Sequence, residues 1–119
     1  MKRRTRWAVW IVLAVQPLLR SGVSEASLPT VGECLEASDF IANAARSRDF
    51  GMPRDDFLVR LDADFDAIKA YPPSLRWFVQ DEDDEQFLLA QVRNVFDLPE
   101  TPEHHRARFL EDCFARMTT

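Results

Sequence analysis

Apolar residues recur along this chain at three- and four-residue steps, the spacing that lines one face of an α-helix. Nowhere do they alternate with polar residues for long enough to suggest a strand. The pattern predicts four helices. The first runs from about Glu33 to Arg48, with Cys34, Leu35, Ile41, Ala42 and Ala45 in step. Its alanines (Ala37, Ala42, Ala44, Ala45) are small enough to let a neighbour approach closely. The second, Pro53 to Ala70, is the cleanest amphipathic signal: Phe57, Leu58, Leu61, Phe65 and Ile68 fall within an arc of about 100°. The third covers Asp83 to Phe96, where Leu88, Leu89, Val92, Val95 and Phe96 spread over a wide arc and Phe87 falls outside it. It is expected to be the most enclosed. The fourth, Thr101 to Met117, carries an inward stripe of Phe109, Leu110, Cys113 and Met117.

The residues between these segments are those that stop and start helices. Ser27 to Gly32 reads as a flexible polar lead-in. Gly51 suits a left-handed cap after the first helix, and Pro53 opens the second at its first turn. Tyr71-Pro72-Pro73 ends the second, because a residue before proline avoids the helical region and proline cannot donate. Ser74 to Gln80 holds Leu75, Trp77, Phe78 and Val79 in one or two helical turns. Thr101 as cap with Pro102 behind it starts the fourth.

The first 26 residues break the pattern. Lys2, Arg3, Arg4 and Arg6 precede an unbroken apolar run from Trp7 to Val15, and Ser24-Glu25-Ala26 is a small-x-small exit, so this stretch reads as a secretory signal cleaved after Ala26. Trp7 to Leu19, interrupted by Gln16 and Pro17, is too short for the about 20 residues that cross hydrocarbon, so no stable membrane span is expected once it is removed. Residues 27–119 then form a single helical domain.

Removal of the signal changes the charge. It takes five of fifteen Lys and Arg but one of twenty Asp and Glu, leaving ten basic and nineteen acidic residues, a formal charge of −9. Nucleic acid and anionic membrane surfaces both require a basic footprint and are disfavoured as partners. A cationic protein partner fits, and so does a monomer or weak dimer kept soluble by its charge. All nine phenylalanines lie in the domain, enough for a modest core.

Cys34 and Cys113 are the only cysteines, and in an exported chain they are expected to pair as one disulfide that closes nearly the whole domain into a loop. Structural zinc would need a second pair.

No residue set suggests catalysis. Asp62, Asp64 and Asp66 look like the start of a calcium loop, but Ala67 and Pro73 stand where that motif needs Gly and Glu. His104 and His105 are adjacent on a helix, about 100° apart, and are expected as surface histidines. The run Asp81-Glu82-Asp83-Asp84-Glu85 complements a helix N-terminus and is expected to be solvated. Beside Trp77 and Phe78 it also makes a candidate partner surface, an aromatic pair with an acidic rim. No cofactor or metal is expected.

The order Cys34, Arg48-Asp49-Phe50-Gly51, Val95-Phe96, Thr101-Pro102, Cys113 resembles small exported bacterial helical proteins with a single disulfide frame and no assigned activity. In size and layout the chain is also similar to the acid-activated periplasmic chaperones. What the first resemblance implies is architecture and compartment. The sequence thus predicts an all-α bundle of about four helices plus a short helical turn, periplasmic or secreted, acting as a non-enzymatic protein-interaction module. An acid-stress chaperone is the alternative, and a small periplasmic enzyme or inhibitor the second.

Overall fold

The structure, a computed structural model, describes residues 28–118. The signal segment and its cleavage point lie outside the described residues. Four α-helices and one 3-10 turn follow in order: α1 (Val31–Asp49), α2 (Arg54–Ile68), the turn Pro73–Leu75, α3 (Glu82–Asp97) and α4 (Pro102–Arg116). No strand occurs among the described residues.

The ends follow from local chemistry. α1 begins two residues before the expected Glu33, because Thr30 and Glu33 form a capping box. Thr30 Oγ1 accepts the Glu33 N–H at 3.1 Å, and Glu33 Oε1 accepts the Thr30 N–H at 2.9 Å. Gly32 therefore sits inside the first turn and not in a loose leader. At the other end the Met52 N–H reaches Ser47 O at 3.0 Å and the Gly51 N–H reaches Arg48 O at 2.9 Å, the paired bonds of a Schellman motif. Gly51 takes φ 102° there, so glycine is required by conformation; a Cβ at this position would meet nothing within 4 Å. α3 is capped by Asp81, whose Oδ1 accepts the Asp84 N–H at 2.9 Å, and α4 by Thr101, whose Oγ1 accepts the His104 N–H at 3.1 Å.

α1 and α3 each pack against two other helices, and α1 makes the broadest seam, with α4. α1 lies against both α4 and α3, while α2 packs on α3. Cys34, Ala37, Ser38, Ile41, Ala42, Ala44 and Ala45 are all buried on it. Alanine ranks low as a hydrophobe but is small enough to be covered completely, and the close approach it permits is what joins α1 to α4. Across that seam Cys34 and Cys113 form the expected disulfide, with Cα atoms 5.8 Å apart and 79 positions of chain between them. Both cysteines are wholly buried.

Phenylalanines fill the remaining space. Phe65, Phe78 and Phe109 are fully buried with Leu88, Val92 and Val95. A run of tilted and edge-on ring pairs links Phe96, Phe57, Phe40, Trp77, Phe78, Phe87 and Phe109, with centroids 5.4 to 6.1 Å apart. That range is preferred by ring quadrupoles.

Arg48, in the last turn of α1, ties this bundle at one end. Its Nη1 donates to Val95 O at 2.6 Å and Leu98 O at 3.1 Å, and its Nη2 to Glu100 O at 2.7 Å. These carbonyls belong to the end of α3 and the loop behind it, where no helical N–H is left to take them. Arg48 thus stands in for the missing turn.

Candidate functional site

The chain from Tyr71 to Glu85 turns the corner between α2 and α3, and side chains take up backbone groups that no regular ladder satisfies. Arg76 Nε donates to Tyr71 O at 2.8 Å and its Nη2 to Lys69 O at 3.3 Å. Gln80 Nε2 donates to Pro73 O and Trp77 O, each at 3.0 Å. Between these clamps Trp77 adopts φ 61°, the one positive value among the described non-glycine residues. A bulky residue held there costs about 1–2 kcal/mol. Its ring is half-buried, edge-on to Phe40 at 5.8 Å and to Phe78 at 6.1 Å.

The acidic run is divided by the start of α3. Asp81, Glu82 and Asp83 are exposed. Glu85 is half-buried and pairs with Lys69 at 3.4 Å. Asp84 is buried, correcting the expectation of a uniformly solvated run. Its Oδ2 accepts the Gln80 N–H at 3.0 Å and its Oδ1 accepts Arg116 Nη2 at 2.7 Å. The Arg116 guanidinium lies 4.4 Å from the centre of the Phe87 ring, so one ion pair and one cation–π contact join the start of α3 to the end of α4. Burial pushes the Asp84 carboxyl above its ordinary range and Asp81 adds to this, against the Gln80 N–H and Arg116.

Phe78 needs the second correction. It is 1% exposed, packed on Phe87 and Phe109, and cannot belong to a partner surface. Trp77, Asp81, Glu82 and Asp83 remain outward. Around them open three surface clefts: about 460 Å³ beside Trp77 and the start of α1, about 510 Å³ past Asp83 towards Arg116, and about 450 Å³ between Glu82 and Arg76.

The histidines differ from expectation in one case. His104 is exposed, but His105 is buried with Nε2 3.0 Å from Leu98 O. That carbonyl can only accept, so Nε2 carries the proton. Leu98 O thereby takes His105 and Arg48 in addition to the Glu100 N–H at 2.8 Å. Burial holds the His105 imidazole below its ordinary pKa against the Leu98 carbonyl bond and Glu100, which oppose it, while Arg48 and Arg108 add to the lowering. Glu100 itself pairs with Arg108 at 2.7 Å.

Asp62, Asp64 and Asp66 are exposed along α2. No group of three or more His, Cys, Asp or Glu among the described residues could hold a metal ion. Sequence reasoning passed over Arg48 and His105 as structural groups. Their partners are backbone carbonyls, which leave no mark in a pattern of side chains. Comparison with family models, with curated proteins and with solved structures returned no match for the chain.

Proposed function

We propose that this chain is a non-enzymatic exported interaction module that docks a cationic protein partner on the edge formed by Asp81, Glu82 and Asp83 beside Trp77. The observation that carries the reading is the sorting of the acidic run: Asp84 and Glu85 are consumed in ion pairs with Arg116 and Lys69, while three consecutive carboxylates stay exposed on a clamped corner. A rigid mount reduces the side-chain entropy lost on binding. A buried disulfide is compatible with a location outside the cytoplasm, and no described helix is long and apolar enough to cross a membrane.

The test is cross-linking capture of partners with wild type and the triple variant Asp81→Asn, Glu82→Gln, Asp83→Asn. Asn serves as a helix cap as well as Asp, so the fold is kept while three charges go. Loss of the cationic adducts, with the wild-type adducts weakening as salt is added, is the expected result. An unchanged set of adducts in a variant that melts like wild type would refute the assignment.

A further inference from the structure

We propose that the cleft between α1 and α2 binds a free amino acid with a large apolar side chain, held in its zwitterionic form by Arg60 and Asp64. The site shares no residue with the docking edge at Asp81 to Asp83 and does not depend on it.

The cleft measures about 230 Å³ and is made by two facing stripes. α2 supplies Phe57, Arg60, Leu61 and Asp64, whose spacing of i, i+3, i+4 and i+7 puts them on one face, and α1 supplies Phe40 and Ser47. Met52, in the connection between the two helices, also lines it. α2 packs on α3 and shares no extended seam with α1, so a gap remains between them. The tilted rings of Phe40 and Phe57, 6.0 Å apart, meet across it.

Volume sets the size of the occupant. Drug-sized ligands take about 300–1,000 Å³, so this space suits something smaller, on the order of one amino acid. The lining sets its chemistry. Leu61 is buried, while Phe40, Met52 and Phe57 are half-buried, so part of this apolar floor is left to water and is favourably covered by an apolar side chain.

The charges beside that floor point to a zwitterion. Arg60 and Asp64 are exposed and one helical turn apart, a spacing that suits a mutual ion pair. They form none, and neither side chain is paired with any other described residue, whereas Arg54 on the same helix is paired with Asp97 at 2.8 Å. One open guanidinium and one open carboxylate complement an α-carboxylate and an α-ammonium carried on a single carbon. A purely anionic or purely cationic ligand would meet one of the two as a like charge.

The test titrates the purified protein with three probes and follows backbone amide shifts by NMR. L-phenylalanine carries ring and both charges, N-acetyl-L-phenylalaninamide keeps the ring and loses both charges, and glycine keeps both charges and loses the ring. The expected result is a saturable shift with L-phenylalanine, centred on Phe57 to Asp64 and Phe40 to Ser47, with the other two probes about tenfold weaker or more. Arg60→Gln and Asp64→Asn, both at exposed positions and so keeping the fold, should each weaken L-phenylalanine about threefold to tenfold and leave N-acetyl-L-phenylalaninamide unaffected. The triple variant of Asp81, Glu82 and Asp83 should bind L-phenylalanine as wild type does, which separates this site from the docking edge. No saturable shift, or shifts confined to α3 and α4, would overturn the proposal. So would unaltered affinity in both charge variants, or glycine binding as well as L-phenylalanine. Equal binding of N-acetyl-L-phenylalaninamide would overturn it too, by making the cleft a seat for a side chain within a partner chain.

Discussion

Asp84 and His105 are both buried ionisable groups, and they bend the pH dependence of stability in opposite directions. His105 has its folded pKa below the ordinary 6.5. As pH falls through that ordinary value, the unfolded chain takes up a proton that the folded chain refuses, so stability drops until the folded pKa is passed. Asp84 has its folded pKa above the ordinary 3.8, so at lower pH the folded state binds the proton first and stability is regained as pH falls through that window. Denaturant unfolding measured at a series of pH values should therefore show a loss between neutral and weakly acid pH that His105→Gln flattens. Gln keeps an N–H for Leu98 O but does not titrate. A slope of unchanged size in that variant would place the titrating group elsewhere. Glu100, whose carboxyl the Arg108 bond holds below its ordinary range, adds to the loss at acid pH, because its contribution disappears as pH falls through the folded pKa.

Among the elements, α2 is held least. It contributes only Leu61 and Phe65 to the fully covered core, its N-cap Pro53 makes no side-chain cap bond, and its last turn has no basic residue. α1 by contrast lies between α4 and α3 and is cross-linked to α4. Local opening tracks the apolar contact an element would lose, so amides of α2 should exchange with solvent fastest of the four helices. Hydrogen exchange read by mass spectrometry or NMR tests this directly. Faster exchange in α4 would show that its cross-link and buried Phe109 do not dominate.

For the whole molecule the decisive connection is Cys34 to Cys113. A loop of this length is worth about 4–5 kcal/mol in chain-entropy terms, although strain and residual unfolded structure often reduce it. The double variant Cys34→Ala, Cys113→Ala should keep its helices and lose stability on that scale, read from the midpoint of chemical denaturation. Because both sulfurs are wholly buried, reductant alone should leave the native disulfide intact and cut it only once denaturant opens the bundle. Ready reduction of the folded protein would contradict that burial.

The helices were legible because what starts and stops them is local. Gly51, Thr101 and Pro102 act within a few residues; the capping box of Thr30 and Glu33 is equally local, but the sequence reading misses it and starts the first helix two residues late. The disulfide was legible by count, two cysteines having one possible pairing within the chain. The outward half of the candidate surface, Trp77 with Asp81, Glu82 and Asp83, could likewise be named from its residue types. What the sequence alone could not decide is which members of a polar run turn inward. Asp84 is buried because Arg116, 32 positions away, arrives to meet it, and Arg48 closes the far end through carbonyls up to 52 positions distant. The cleft beside Trp77 exists only once α1 is set beside the turn before α3. Helix periodicity and caps are properties of neighbouring residues and can be read along the chain; burial of a charge depends on a partner that only packing supplies.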